Sequence, residues 1–281
     1  MTKVAIVKGT IPIETANAAL EMIRSDLDIV LSGSRPILIK PNYINAKHPS
    51  AGMTTDSRVV EGIVKFLRQR DVEEIVIGEG SGFADTFQAF KVAGVDVVAE
   101  RWDVKLVDLN KDECVEVHPP NPLSLNSVRV AKTALKSTII SVPKLKVHRT
   151  ATVTLSLKNM MGALASKGSM HRGRLSQNIA DLASILRPSV SVIDGIVAGE
   201  GDEMSGNPVE MNLVIAGTDP VAVDAVGAAV MDIQPTDVKH LVLAQKKGLG
   251  TCNLNEITVM GESIESVKRK FQRSFLVSEN S

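Results

Sequence analysis

The stretch Ser137-Thr138-Ile139-Ile140-Ser141-Val142-Pro143-Lys144-Leu145-Lys146-Val147-His148 decides how this chain is read. Its first half is a short β-branched run, and such side chains lose rotamer freedom in a helix but pack well on a pleated surface. A proline closes the run, and two lysines and a histidine follow. A strand thus delivers ionisable groups to its carboxyl end.

Runs of the same kind recur at Val4–Val7, Pro36–Lys40, Glu74–Gly78, Lys105–Asp108, Ser189–Asp194, Asn212–Gly217 and Ile257–Met260. Amphipathic stretches alternate with them, near Glu14–Leu31, Ser57–Arg70, Asp85–Ala93, Leu175–Leu186, Pro220–Met231, Thr236–Lys247 and Ile264–Phe275. Asp56-Ser57 and Thr218-Asp219-Pro220 are helix starts, with proline placed where its missing N–H costs nothing. The alternation predicts an α/β fold, a mostly parallel sheet with helices on both faces, Rossmann-like in plan. Residues 1–275 read as a single domain, or as two α/β lobes meeting near 119–150, where three prolines fall between Pro119 and Leu125. Residues 276–281 read as a flexible tail.

Composition narrows the function. The chain has 281 residues, no formal net charge, 44% apolar side chains and eight aromatic residues (six Phe, one Tyr, one Trp). A substantial core can form, while the few aromatics argue against a base-stacking nucleic-acid binder. The two cysteines, Cys114 and Cys252, share no C-x-x-C spacing, so this chain's own cysteines alone ligate no iron–sulfur cluster. They suit a reducing cytosol, with a disulfide left open. The first apolar run is too short for a signal peptide and no later one reaches membrane-spanning length, so the expectation is cytoplasmic, with no membrane partner. A homo-oligomer stays open.

In a neutral chain, the gathering of Lys144, Lys146, His148, Arg149, Lys158, Asn159, His171 and Arg172 marks a site rather than a basic coat. Four other strands end in polar groups: Lys40-Pro41-Asn42, Glu79-Gly80-Ser81-Gly82, Asp194-Gly195 and Thr218-Asp219. Ligands of open α/β sheets bind beyond strand carboxyl ends, so a shared crevice is expected. Gly80, Ser81 and Gly82 ahead of a helix would offer N–H groups to an anion, although the full dinucleotide and P-loop spacings are absent. Lys40, Asn42, Lys144, Lys146, Asn159 and Arg172 complete the expected anion- or cofactor-binding set. A lysine buried among these cations, with its pKa depressed, would be a base or covalent anchor. His148 and His171 would move protons or, for His171, ligate metal; His48, His118 and His240 read as incidental. Asp194, Glu200 and Asp219 would hold a divalent metal, with Glu200 on a flexible glycine-rich loop, Gly195–Pro208. Asp219 equally fits a helix cap, and Glu200, Asp202 and Glu203 a solvated loop. Thr150–Lys158 alternates at a period of two and reads as a half-buried strand, its polar face on the site or on solvent.

The motifs Ile39-Lys40-Pro41-Asn42, Val142-Pro143-Lys144-Leu145-Lys146-Val147-His148, Thr154-Leu155-Ser156-Leu157-Lys158-Asn159-Met160-Met161-Gly162, Val192-Ile193-Asp194-Gly195-Ile196 and Ala216-Gly217-Thr218-Asp219-Pro220-Val221-Ala222-Val223-Asp224 together resemble domain-of-unknown-function family 362. The likeness covers nearly the whole chain in order and implies the fold and the site rather than a reaction. Many members are similar to iron–sulfur proteins and carry a ferredoxin-like cysteine module, which this sequence lacks. The order His148, Lys158, His171 is also faintly similar to the nickel-pincer lactate racemase family. That likeness implies Lys158 as tether of a pyridinium-derived cofactor, His148 as proton-transfer group and His171 as nickel ligand. It departs at Leu155-Ser156-Leu157, where a glycine pair is expected.

The expectation is therefore an α/β enzyme that binds a small anionic substrate or cofactor and moves a proton with His148, Lys158 and His171. The alternative is a non-catalytic carrier of a metal, iron–sulfur cluster or cofactor, and a third class, an RNA-associated module, would show steeply salt-dependent binding.

Overall fold

The computed structural model describes residues 1–33, 35–171, 173–204 and 207–274. Its strands are β1 (Thr2–Lys8), β2 (Ile37–Pro41), β3 (Ile75–Glu79), β4 (Lys105–Asp108), β5 (Cys114–Val117), β6 (Val128–Ala131), β7 (Thr138–Val142), β8 (Lys144–His148), β9 (Thr152–Thr154), β10 (Val190–Glu200), β11 (Asn207–Gly217) and β12 (Ile257–Gly261). Ten of them form one sheet in the order β12-β1-β11-β10-β7-β2-β3-β4, with β8 on β10 and β9 on β8. The fold is α/β, as the alternation predicts.

Strand parity explains the two layers. Ile37 and Ile39 of β2 and Val190 and Val192 of β10 pack with the helices Pro12–Met22, Ser57–Arg68, Thr86–Ala93 and Val95–Trp102. Leu38 and Ile193, one residue out of step, pack with Leu175–Ala183, Pro220–Val230 and Lys239–Lys246 on the other face. A strand covered on both faces reads as a continuous apolar run, and all five residues of β2 are buried.

Along the main path every pairing is parallel except those of β11, which runs against both β1 and β10. A hairpin causes this: Glu200 pairs with Asn207, and β10 folds back directly onto β11. The expected flexible loop Gly195–Pro208 is thus largely the two arms of a sheet. Gly199 serves close approach rather than mobility, since a side chain there would meet the Gly52 carbonyl.

Other boundaries differ. The helix expected over Glu14–Leu31 is two, Pro12–Met22 and Arg24–Leu31, parted at Ile23, whose N–H closes the first on Leu20 O (3.2 Å). The last helix stops at Val267 because Arg269 and Phe271 donate instead to the Val230 and Met231 carbonyls (2.9 and 3.2 Å). Segment 119–125 joins β5 to β6 and is held by the Asp181 carboxylate, which accepts the N–H groups of Leu123, Ser124 and Leu125. Tail residues 276–281 lie outside the described residues.

Candidate functional site

Beyond Pro143 the chain resumes as β8, so Lys144, Lys146 and His148 lie on a strand rather than in a loop. Period-two alternation turns Leu145 and Val147 into the core and puts the three ionisable side chains on the opposite face. In the β8–β9 pairing, Lys146 faces Thr154 and His148 faces Thr152. The strand expected over Thr150–Lys158 lasts only from Thr152 to Thr154, and a short helix, Ser156–Asn159, carries Lys158. Asp224 makes the switch: its buried carboxylate accepts the Ser156 and Leu157 N–H groups (2.7 and 2.9 Å) and caps the turn. Burial pushes the Asp224 carboxyl up to about 8, against the pull of those two bonds.

Two of the lysines are neutralised inside the fold. Lys40 Nζ donates to Glu79 Oε1 (2.7 Å), Asn159 Oδ1 (3.2 Å) and Pro41 O (3.1 Å), and Asn159 Nδ2 returns a bond to Lys40 O (2.9 Å). Burial lowers the Lys40 ammonium's pKa and Glu79 opposes it. Lys144 Nζ sits 2.6 Å from Asp194 Oδ2, and both side chains are fully buried. Asp194 also accepts the N–H groups of Asp56 and Ile196 (2.7 and 2.9 Å). Its carboxyl is raised by burial, with Lys144 pulling the other way. Buried charges paired this fully hold strand ends in place, which is a structural task, and Lys40, Lys144, Asn159 and Asp194 have little left to offer a ligand.

The glycine turn is also committed. Gly80 N–H donates to Glu79 Oε1 (2.7 Å), Ser81 N–H to Thr86 Oγ1 (3.3 Å), and Gly82 N–H to Ile44 O (3.2 Å). Gly80, Ser81 and Gly82 therefore present no open set of donors to an anion. Asn42 differs: its main chain pairs with Thr55, but its buried Oδ1 has no partner among the described residues. Arg172 lies outside the described residues.

The metal set does not assemble. Because β11 is antiparallel, its carboxyl end, and Asp219 with it, lies at the edge opposite the ends of β2, β3 and β7. There Asp219 caps the helix Pro220–Val230 through Val221 and Ala222 N–H (2.9 and 3.1 Å) and holds Thr251 N–H (3.2 Å). Glu200 ends β10 and accepts the Gln272 N–H (2.9 Å). Among the described residues no three His, Cys, Asp or Glu side chains are grouped to hold a metal ion. The expected set His171, Asp194, Glu200 and Asp219 is dispersed because a hairpin reversed one strand and salt bridging absorbed another end.

What remains together is Lys146, His148, Lys158 and His171. Lys146 is 2% exposed, donates to Met53 O (2.8 Å), and has no carboxylate within ion-pair distance among the described residues. Burial first, then repulsion from Lys158 and Lys144, brings its ammonium from 10.5 down to about 7. Lys158, partly buried, makes no hydrogen bond among the described residues, and burial brings it to about 8. The His148 ring is 4% exposed and lies 6.4 Å from the exposed His171 ring, the two planes within 17°. Burial and the charge of Lys158 depress both imidazoles, His148 to about 2. Glu203, bound to Arg149 Nε at 2.9 Å, is the nearby acid and opposes the shifts of both lysines.

One neighbour of Lys158 was expected to be incidental. His240 is fully buried, neither ring nitrogen has a partner among the described residues, and it senses the charge of Lys158. A lone histidine on an ordinary helical stretch carries no sequence signal for such a position.

Among the described residues no helix is long and apolar enough to cross a membrane. The chain is similar to the thylakoid-associated protein sll1697 of Synechocystis sp., with 24% identity over 232 residues, covering 79% of this chain and 70% of that protein. The family model described as Domain of unknown function (DUF362) matches residues 37–229, the span from β2 to the end of the helix that carries Asp224. On that match, with the β2, β8 and Lys158 motifs inside it, the chain belongs to the DUF362 family.

Proposed function

We propose that this protein is an enzyme that binds a small phosphorylated or carboxylate molecule between Lys146 and Lys158, with Lys158 taking up a proton during turnover. The observation that carries the reading is a pair of repelling lysines, one almost wholly buried, with no counter-ion in ion-pair contact among the described residues. Two buried like charges cost stability, and a ligand anion is the counter-charge that offsets it. The amines also sit close enough to neutrality to exchange protons at working pH, the property a general base needs. Lys40 and Lys144, expected as anion binders, belong instead to the frame around this pair. The free cysteines Cys114 and Cys252 favour a cytoplasmic setting.

Calorimetric titration of the full chain with inorganic phosphate and with oxalate tests the reading. Wild type should bind one or both, and Lys158→Met should lose at least about tenfold in affinity. No binding of either probe refutes it. Binding in which Lys158→Met, once a substrate is found, leaves turnover untouched would favour a carrier.

A further inference from the structure

We infer that His148 is a locked Nε2–H donor that hydrogen-bonds an oxygen of the bound anion, and is neither a base nor a metal ligand. The inference rests on the anion reading above and assigns a further contact to the ligand. Its warrant is the turn between β8 and β9. The backbone N–H groups of Thr150 and Ala151 both point at His148 Nδ1, each at 3.1 Å. A nitrogen receiving two N–H donors carries a lone pair, so the neutral ring bears its proton on Nε2. Moving that proton to Nδ1 would set three hydrogens against one another.

The doubly protonated ring is equally disfavoured. Lys158, His171 and Lys146 bear on it from the site, and Arg149 from its own turn; each opposes a further positive charge. Glu203 Oε2, 3.9 Å from Nδ1, is the acid that faces the ring among the described residues, and it is engaged with Arg149. Nε2–H finds no acceptor among the described residues and, unlike the sealed nitrogens of His240, it is not a buried orphaned atom, so the donor is open to an oxygen arriving from outside the protein. An oxygen of the ligand supplies the acceptor.

The consequence is a division of labour. A neutral imidazole that cannot take up a proton acts as an electrophile, stabilising negative charge on the oxygen it faces. The base is then Lys158. The ligand class narrows too: the atom over His148 must be an oxygen with a free lone pair, as in a carboxylate or phosphate, and an amine in that place would be rejected.

Long-range proton–nitrogen correlation on histidine-labelled full-length protein reads the tautomer directly. The expected result is an unprotonated Nδ1 and a protonated Nε2 from about pH 5 to about pH 9, with the Nε2 proton shifting on addition of inorganic phosphate. His148→Asn keeps an acceptor for Thr150 and Ala151 but loses the far donor, and should weaken phosphate about tenfold or more. His148→Gln, which keeps a distal N–H, should recover much of that loss. A protonated Nδ1, or a ring titrating near neutrality while phosphate still binds, overturns this inference alone. A wild type with the expected tautomer that binds no phosphate overturns the anion reading and the acceptor assigned here.

Discussion

Replacing Lys146 by Met should stabilise the protein while weakening its ligand binding. The side chain is 2% exposed, and its ammonium falls from 10.5 to about 7 in the fold. At about 1.4 kcal/mol for each pH unit, the folded state bears about 4–5 kcal/mol for keeping that group charged. Against this, Lys146→Met loses the bond to Met53 O, worth about 1 kcal/mol, and keeps most of the apolar stem. A net gain of about 3 kcal/mol remains below about pH 7, equivalent to roughly 6–12 °C in Tm for a chain of this size. The sign with pH follows from linkage. The folded pKa is depressed, so the wild-type penalty is complete below about pH 7 and disappears as pH climbs toward the unfolded value of 10.5. The advantage of Lys146→Met should fade over that same window. Urea denaturation between pH 6 and pH 10 at matched ionic strength measures it. A variant less stable than wild type at pH 6, or a gain that ignores pH, would refute the claim that Lys146 is a strained, uncompensated charge.

The paired lysines should behave in the opposite way. Asp194→Asn strands the buried Lys144 ammonium and should cost about 3–5 kcal/mol in urea denaturation, with Lys144→Met added to Asp194→Asn, whose amide oxygen still accepts a backbone N–H, recovering much of the loss. Asp219→Ala removes a helix cap and should cost about 1 kcal/mol while leaving phosphate affinity unchanged; a loss of bound metal or ligand would restore Asp219 to the site. At Gly162 a side chain would strike the Glu79 carboxylate and the Lys40 ammonium, so Gly162→Ala should destabilise by about 1–3 kcal/mol, and a neutral result would show that pair to be loosely held.

The layering of the fold was legible because strand parity writes itself into sequence: Ile37 and Ile39 serve one face and Leu38 the other. Helix starts at Asp56 and Asp219 were legible for a similarly local reason, since capping needs only a short polar side chain ahead of the first turn. Strand direction was not. Nothing local in Asn212–Gly217 says that it runs backwards, and that reversal moved Asp219 to the opposite edge. Pairing was equally hidden. Lys40 and Lys146 look alike in the sequence, yet Glu79, 39 residues from Lys40, neutralises one and, among the described residues, no carboxylate pairs with the other. The site was therefore visible as a place, around β8 and Lys158, while the division between structural and free charge required three-dimensional neighbours. His240 and the Nδ1 lock on His148 depend on atoms brought together by tertiary packing and by one turn.

Nitrogen-detected titration of the Lys158 ammonium, without and with saturating inorganic phosphate, tests the central claim most directly. The account predicts a value near 8 in the free protein and an upward displacement when phosphate binds, because an anion favours the charged amine. A Lys158 that titrates near the ordinary lysine value of about 10.4, or one indifferent to phosphate, would contradict it.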